Sequence, residues 1–150
     1  MKTILVSACM LALISFGSCK KEGCTSINAT NYDMEANSDD GSCKFQAQDY
    51  VGTYNVTGTM YDQIFGDSTI QNYQFLILHT GDINISISNL GNTSNVITAT
   101  IKNNQLTIPK QDKNVVETWS GSGVISGNTI NLQYIESFHD DTYFEVAVKQ

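Results

Sequence analysis

His139, Asp140 and Asp141 stand together near the C-terminus, one imidazole beside two carboxylates. Such a trio could bind a divalent metal, which needs about three or four ligands. It could also run acid–base chemistry, which needs groups whose pKa values are tuned by burial. Set in a turn, the same residues make an ordinary polar hairpin, and no metal ligand set is expected. The other histidine, His79, falls at a strand end. A second cluster, Asn28, Asn31, Asp33, Glu35, Asn37, Asp39 and Asp40, gathers oxygen donors of the kind calcium takes six to eight at a time. Tested as an EF-hand loop from Asp33, it fails. The sixth position is Ser38 where Gly is needed, and the twelfth is Lys44 where Glu is needed. A solvated, turn-rich spacer is expected instead. The chain has no nucleophile elbow, no His-Glu-x-x-His and no phosphate loop. It is therefore expected to be non-enzymatic, with no cofactor.

The N-terminus carries different chemistry. Lys2 supplies a positive charge, and residues 4–16 are apolar or small without a charge. Thirteen residues are too few to span a bilayer, which takes about 20, but they suit the apolar core of a cleavable signal. Gly17 and Ser18 are small enough to enter a signal peptidase cleft, and Cys19 follows them directly. This arrangement resembles the lipobox of bacterial lipoproteins, with Phe16 where that family usually has Leu. The resemblance implies that Cys19 receives a lipid anchor. Lys20, not Asp, follows the cysteine, which in that family points to the outer membrane. The alternative is an ordinary secretory signal cleaved nearby, although no Ala-x-Ala site is present. More than one acyl chain is needed for stable anchoring, at about 0.8 kcal/mol per buried CH₂, and a triacylated cysteine would satisfy this.

Of the four cysteines at 9, 19, 24 and 43, Cys9 would leave with such a signal, and the lipobox resemblance implies that Cys19 is acylated. Cys24 and Cys43 remain as an even pair in an oxidising compartment, where a disulfide is expected. It would close a loop of 20 residues, worth on the order of 3 kcal/mol in the chain-entropy model. No histidine lies near either thiol to complete a zinc site.

All eight basic residues are lysines, and the 150-residue chain has no arginine. Without Lys2, seven lysines face 15 acidic residues, a net charge of −8. Such a surface repels nucleic acid. It also lacks the bidentate guanidinium clamp for phosphate or carboxylate. The remaining length suits one domain behind a short leader.

Residues 23–45 resemble a cysteine-bounded segment found in secreted and surface proteins of Gram-negative bacteria. The matching positions include Gly23, Cys24, Thr25, Ala29, Asn31, Tyr32, Ala36, Asp39, Asp40, Gly41, Ser42, Cys43 and Phe45. Ser26, Ile27 and Met34 depart from the pattern. No chemistry attaches to the segment. The expected organisation is a signal over 1–18, a lipidated tether with a disulfide-closed segment over 19–45, and a β domain over 46–150.

From Tyr50 onward, alternating apolar and polar residues predict eight strands, at 50–61, 72–79, 82–89, 95–102, 105–109, 115–125, 129–137 and 141–149. Thr80-Gly81, Asn103-Asn104, Ser126-Gly127-Asn128 and His139-Asp140 supply turns between them. Ile83, Ile85 and Ile87 alternate with Asn84, Ser86 and Ser88, as do Ile130, Leu132 and Tyr134 with Asn131 and Gln133. One face is buried and the other wet, the antiparallel pattern. Eight hairpin-linked strands predict an all-β, up-and-down antiparallel barrel, because closure removes free edges. The alternative is a two-sheet β-sandwich.

Gly52-Thr53-Tyr54 resembles the Gly-x-Trp of lipocalins, and the stretch 120–127 is similar to small lipocalin-like domains of bacterial lipoproteins. The resemblance implies a barrel that binds a small apolar ligand. The candidates for lining it are Tyr54, Phe75, Ile77, Ile85, Trp119, Leu132, Tyr134 and Phe144, with Val146 beside them. A small eight-stranded barrel can equally fill its interior with side chains. Met60, Tyr61, Ile64 and Phe65 form a loop that either lines the mouth, packs as a lid or meets a partner. Two functions remain open. One is an envelope lipoprotein that binds an apolar ligand or an envelope protein through its barrel. The other is a structural component of an envelope complex with a filled barrel.

Overall fold

The alternation continues almost unbroken to the C-terminus, and a strand with one apolar face must bury it against other strands. A computed structural model, which describes residues 20–113 and 115–150, shows how this is achieved. Eight strands follow one another: β3 (Gly52–Tyr61), β4 (Ser68–Gly81), β5 (Asn84–Ser88), β6 (Val96–Lys102), β7 (Gln105–Asp112), β8 (Thr118–Ser126), β9 (Thr129–Glu136) and β10 (Asp141–Lys149). Each pairs antiparallel with its sequence neighbours, and β10 pairs with β3, so the sheet is a closed up-and-down barrel. The barrel expectation holds and the sandwich does not.

The turns have the chemistry that tight hairpins need. Asn103 and Asn104 both take positive φ, 52° and 60°, between β6 and β7. Gly127 does the same between β8 and β9 at 57°. These turns, with that between β4 and β5, lie at one end of the barrel. The loops that follow β3, β5, β7 and β9 lie at the other, which we call the mouth.

The interior is filled by side chains of every strand. Tyr54, Val56, Phe75, Ile77, Ile85, Ile87, Ile97, Ile101, Leu106, Trp119, Ile130, Leu132 and Tyr134 are all buried. Near the mouth, Trp119, Tyr134 and Tyr143 stack, with Tyr134 and Tyr143 only 4.5 Å apart and nearly parallel. Tyr143 and Tyr134 are direct partners across β9 and β10, so register and aromatic packing enforce each other. Gly121 lies opposite Tyr134 on β8 and makes room for it: a Cβ there would stand 2.4 Å from the Gln133 carbonyl oxygen and from Tyr134 Cβ.

Both ends are partly covered. At the turn end a short helix, α1 (Gln46–Asp49), buries Ala47 completely, and the Tyr54 hydroxyl donates to the Tyr50 carbonyl at 2.9 Å. At the mouth a 3-10 turn, Leu90–Asn92, buries Leu90 and places the Gly91 N–H on the Tyr73 hydroxyl.

The leader is folded. β1 (Glu22–Gly23) pairs in parallel with β2 (Ser38–Asp39), and Cys24 is bonded to Cys43. The segment packs on the turn end of the barrel. The Ser26 hydroxyl donates to Asp82, Lys102 Nζ donates to Asn28, and the ring of Phe45 stacks on His79.

One expectation needs correction. Phe144 and Val146 face outward and are nearly half exposed, while Tyr143, Glu145 and Ala147 face in. The period of β10 is as expected; its phase is the opposite one.

Gly121→Ala should lower unfolding stability by about 1–3 kcal/mol, the usual cost of overpacking. The neighbouring outward change Ser122→Ala should alter it little. Urea denaturation of both variants checks this; equal midpoints would contradict the packing described.

Candidate functional site

Acidic side chains gather at the mouth because two strands end there in the inward phase. Glu136 ends β9 and Asp141 begins β10, and the two are partners across the ladder. Both continue the inward series of their strands and are buried, at 5% and 6% exposure. Facing carboxylates in one ladder repel each other. The hairpin 137–140 between them turns at Asp140, whose φ is 57°. It carries His139 back over the pair.

The partners of this group are unevenly supplied. One Glu136 oxygen accepts the Phe138 N–H, and the other lies 3.2 Å from His139 Nδ1. Asp141 Oδ1 is buried and has no hydrogen-bond partner, which ordinarily costs about 1–3 kcal/mol and more for a charged group. Burial pushes the Asp141 carboxyl up, and repulsion from Asp62 and Glu136 adds to this, against the opposing pull of His139. Glu117 lies alongside and accepts both the Trp119 indole N–H, at 2.5 Å, and the Asn95 amide. The cleft so formed has a volume of about 500 Å³. Thr93, Asn95, Glu117, Trp119, Glu136, Phe138, His139, Asp141 and Tyr143 line it.

Deeper in the barrel sits a third inward acid, Glu145, which is fully partnered. The hydroxyls of Tyr73 and Tyr134 both donate to it at 2.8 Å, and the Gly91 N–H donates to the Tyr73 oxygen. Burial raises the Glu145 pKa, and the two tyrosine donors hold it back. Burial raises both tyrosines too, and the nearby carboxylate adds to the effect.

Of the candidate ligand-lining residues, Tyr54, Phe75, Ile77, Ile85, Trp119, Leu132 and Tyr134 all lie in the interior, packed on one another. Phe144 lies outside, edge-on to Tyr61, and with Thr59 borders a shallow outer groove of about 460 Å³. Ile64 and Phe65 extend into solvent from the loop after β3 rather than packing as a lid. Met60 packs against the core. Cys19 lies outside the described residues.

The oxygen-rich leader engages most of its oxygens within itself, while Asn28 accepts Lys102 of the barrel. Asp33 and Glu35 pair with Lys21, Asp39 and Asp40 accept backbone N–H groups of their own turn, and Asn31 accepts the Lys44 N–H. Among the described residues, the group of side chains able to share a metal ion is Glu136, His139 and Asp141, whose donor atoms lie within 4.8 Å of one another. Asp140, grouped with His139 and Asp141 in the sequence, is exposed and is not part of it. Glu136 was not among the sequence candidates. Its signal was its place two residues after Tyr134, in phase with Ile130 and Leu132.

Comparison with models of known protein families, with curated proteins and with solved structures gives no match in any of the three.

A carboxyl whose folded pKa is raised stabilises the fold only while it is protonated. Its contribution is full below its unfolded pKa, near the ordinary value of 4.5, and is lost as pH rises through the folded value. Glu145→Gln should therefore gain stability relative to the parent chain as pH goes from about 4 to about 7. Thermal unfolding across that range checks it; a constant difference between the two chains would contradict it.

Proposed function

We propose that this chain is a non-enzymatic lipoprotein of the bacterial envelope, anchored to the outer membrane through Cys19, whose barrel meets an envelope protein with its outer wall rather than enclosing an apolar ligand. The observation that carries this reading is the division of apolar surface between inside and outside. Trp119, Tyr54, Tyr134 and Phe75 occupy the space where a ligand would sit, each at most 1% exposed. Small eight-stranded barrels either hold one ligand or fill themselves in this way.

The outer wall beside the mouth is correspondingly apolar. Ile70, Thr59 and Phe144 stand in one row across β4, β3 and β10. Tyr61 contacts Phe144, and the following loop presents Ile64 and Phe65 at 61% and 78% exposure. Clustered exposed apolar side chains of this kind mark interaction surfaces. The acidic, arginine-free composition supports a protein partner over nucleic acid.

Two measurements test the reading. A fluorescent fatty-acid probe should show no saturable binding to the purified chain; one-to-one binding that is lost on filling the interior further would overturn the filled-barrel reading. Cys19→Ala should move the protein from the membrane fraction to the soluble fraction, and a variant that stays in the membrane would overturn the anchor.

A further inference from the structure

We propose that Glu136, His139 and Asp141 form a binding site for a divalent transition-metal ion of the zinc class at the mouth of the barrel. The three residues come from one hairpin: two carboxylates paired across the β9–β10 ladder and an imidazole from the turn that joins them. Two facing carboxylates, both more than nine-tenths buried, repel each other when ionised, and a cation between them relieves that repulsion. The titratable groups that act on Asp141 are Asp62, Glu136 and His139.

The independent observation is Asp141 Oδ1, buried in the cleft with no hydrogen-bond donor. A buried polar atom of this kind calls for an unseen partner, and a metal ion is a partner that also relieves the repulsion from Glu136. Glu136 is bound to the turn through Phe138, but a carboxylate has about four lone-pair sites, which leaves it free to ligate as well.

Donor chemistry selects the ion. One imidazole nitrogen with two carboxylate oxygens suits zinc and its neighbours, which bind such sets at about 2.0–2.2 Å. Calcium takes six to eight oxygens and has no use for the imidazole. Three protein ligands leave a fourth position open to the cleft, as in zinc sites that exchange a ligand. Donor atoms spread over as much as 4.8 Å must draw together around one ion. His139 can make that movement, since its side chain is 57% exposed.

The test is zinc chloride titrated into the purified chain, followed by calorimetry and by the fluorescence of Trp119. Trp119 is the only tryptophan and lines the same cleft. One equivalent should bind with micromolar or tighter affinity and change the emission. His139→Ala, at an exposed position that leaves the core intact, should weaken binding at least tenfold, and Asp141→Asn should do the same. His79→Ala, at the opposite end of the barrel, should bind as the parent does. The proposal is overturned by no saturable binding up to millimolar zinc, by affinity unchanged in His139→Ala, by binding lost in His79→Ala, or by calcium competing as well as zinc.

Discussion

Eight residue pairs join β10 to β3, from Thr142 opposite Tyr61 to Lys149 opposite Tyr54, and without them the sheet would present two free edges. This seam also decides which residues of the last strand enter the interior. A slip of one residue would bring Phe144, Val146 and Val148 inside and put Tyr143, Glu145 and Ala147 in water. The apolar count alone favours the slipped register. The observed one is held by shape: Glu145 lies opposite Gly58, which leaves its side chain the space it occupies, and Tyr143 lies flat on Tyr134. The hydrophobic effect is non-directional, so the choice between two apolar faces of one strand falls to packing.

The same seam brings acids into a core with few means to neutralise them. Glu136, Asp141 and Glu145 are the buried charged side chains among the described residues, and no lysine is buried with them. Their treatment varies with depth. Glu145, furthest in, has two tyrosine donors and a backbone N–H behind one of them. Glu136, at the rim, caps its own turn. Asp141, opposite Glu136 at the same rim, keeps an unpaired oxygen. A fold that spends two buried tyrosine hydroxyls on one carboxylate and leaves its neighbour unpaired has an internal contrast. Sheet stability alone does not explain it, because an apolar residue at position 141 would serve the barrel as well.

Much of the architecture was legible because it rests on local signals. The hairpin at Asn103-Asn104 takes the positive φ angles that Asn tolerates, and Ile85, Ile87, Ile130, Leu132 and Tyr134 all face inward as their alternation requires. The last strand misled because both of its phases are apolar and the inward one contains Glu145. A charged residue argues for the wet face unless its partners, Tyr73 and Tyr134, are known to await it, and Tyr73 lies far off in sequence on β4. Glu136 was hidden for the same reason. At the mouth, His139 and Asp141 were recognisable as neighbours in sequence, but the turn at Asp140 throws that residue outward and brings Glu136 in its place. Strand register supplied the third member of the group, and sequence adjacency could not.

The folded leader gives the barrel a foot and a head. Lys21, Asn37 and the Cys24–Cys43 bridge tie the first described residues into a small unit that rests on the hairpin turns, and Phe45 and α1 join it to the barrel floor. The first described residues are thereby held at the end opposite the acidic mouth. A pull on the N-terminus would load this foot first and reach β3 only through it. Were the chain anchored through Cys19 as proposed, the barrel would present its acidic hairpin and its exposed Phe65 loop at the end away from that attachment.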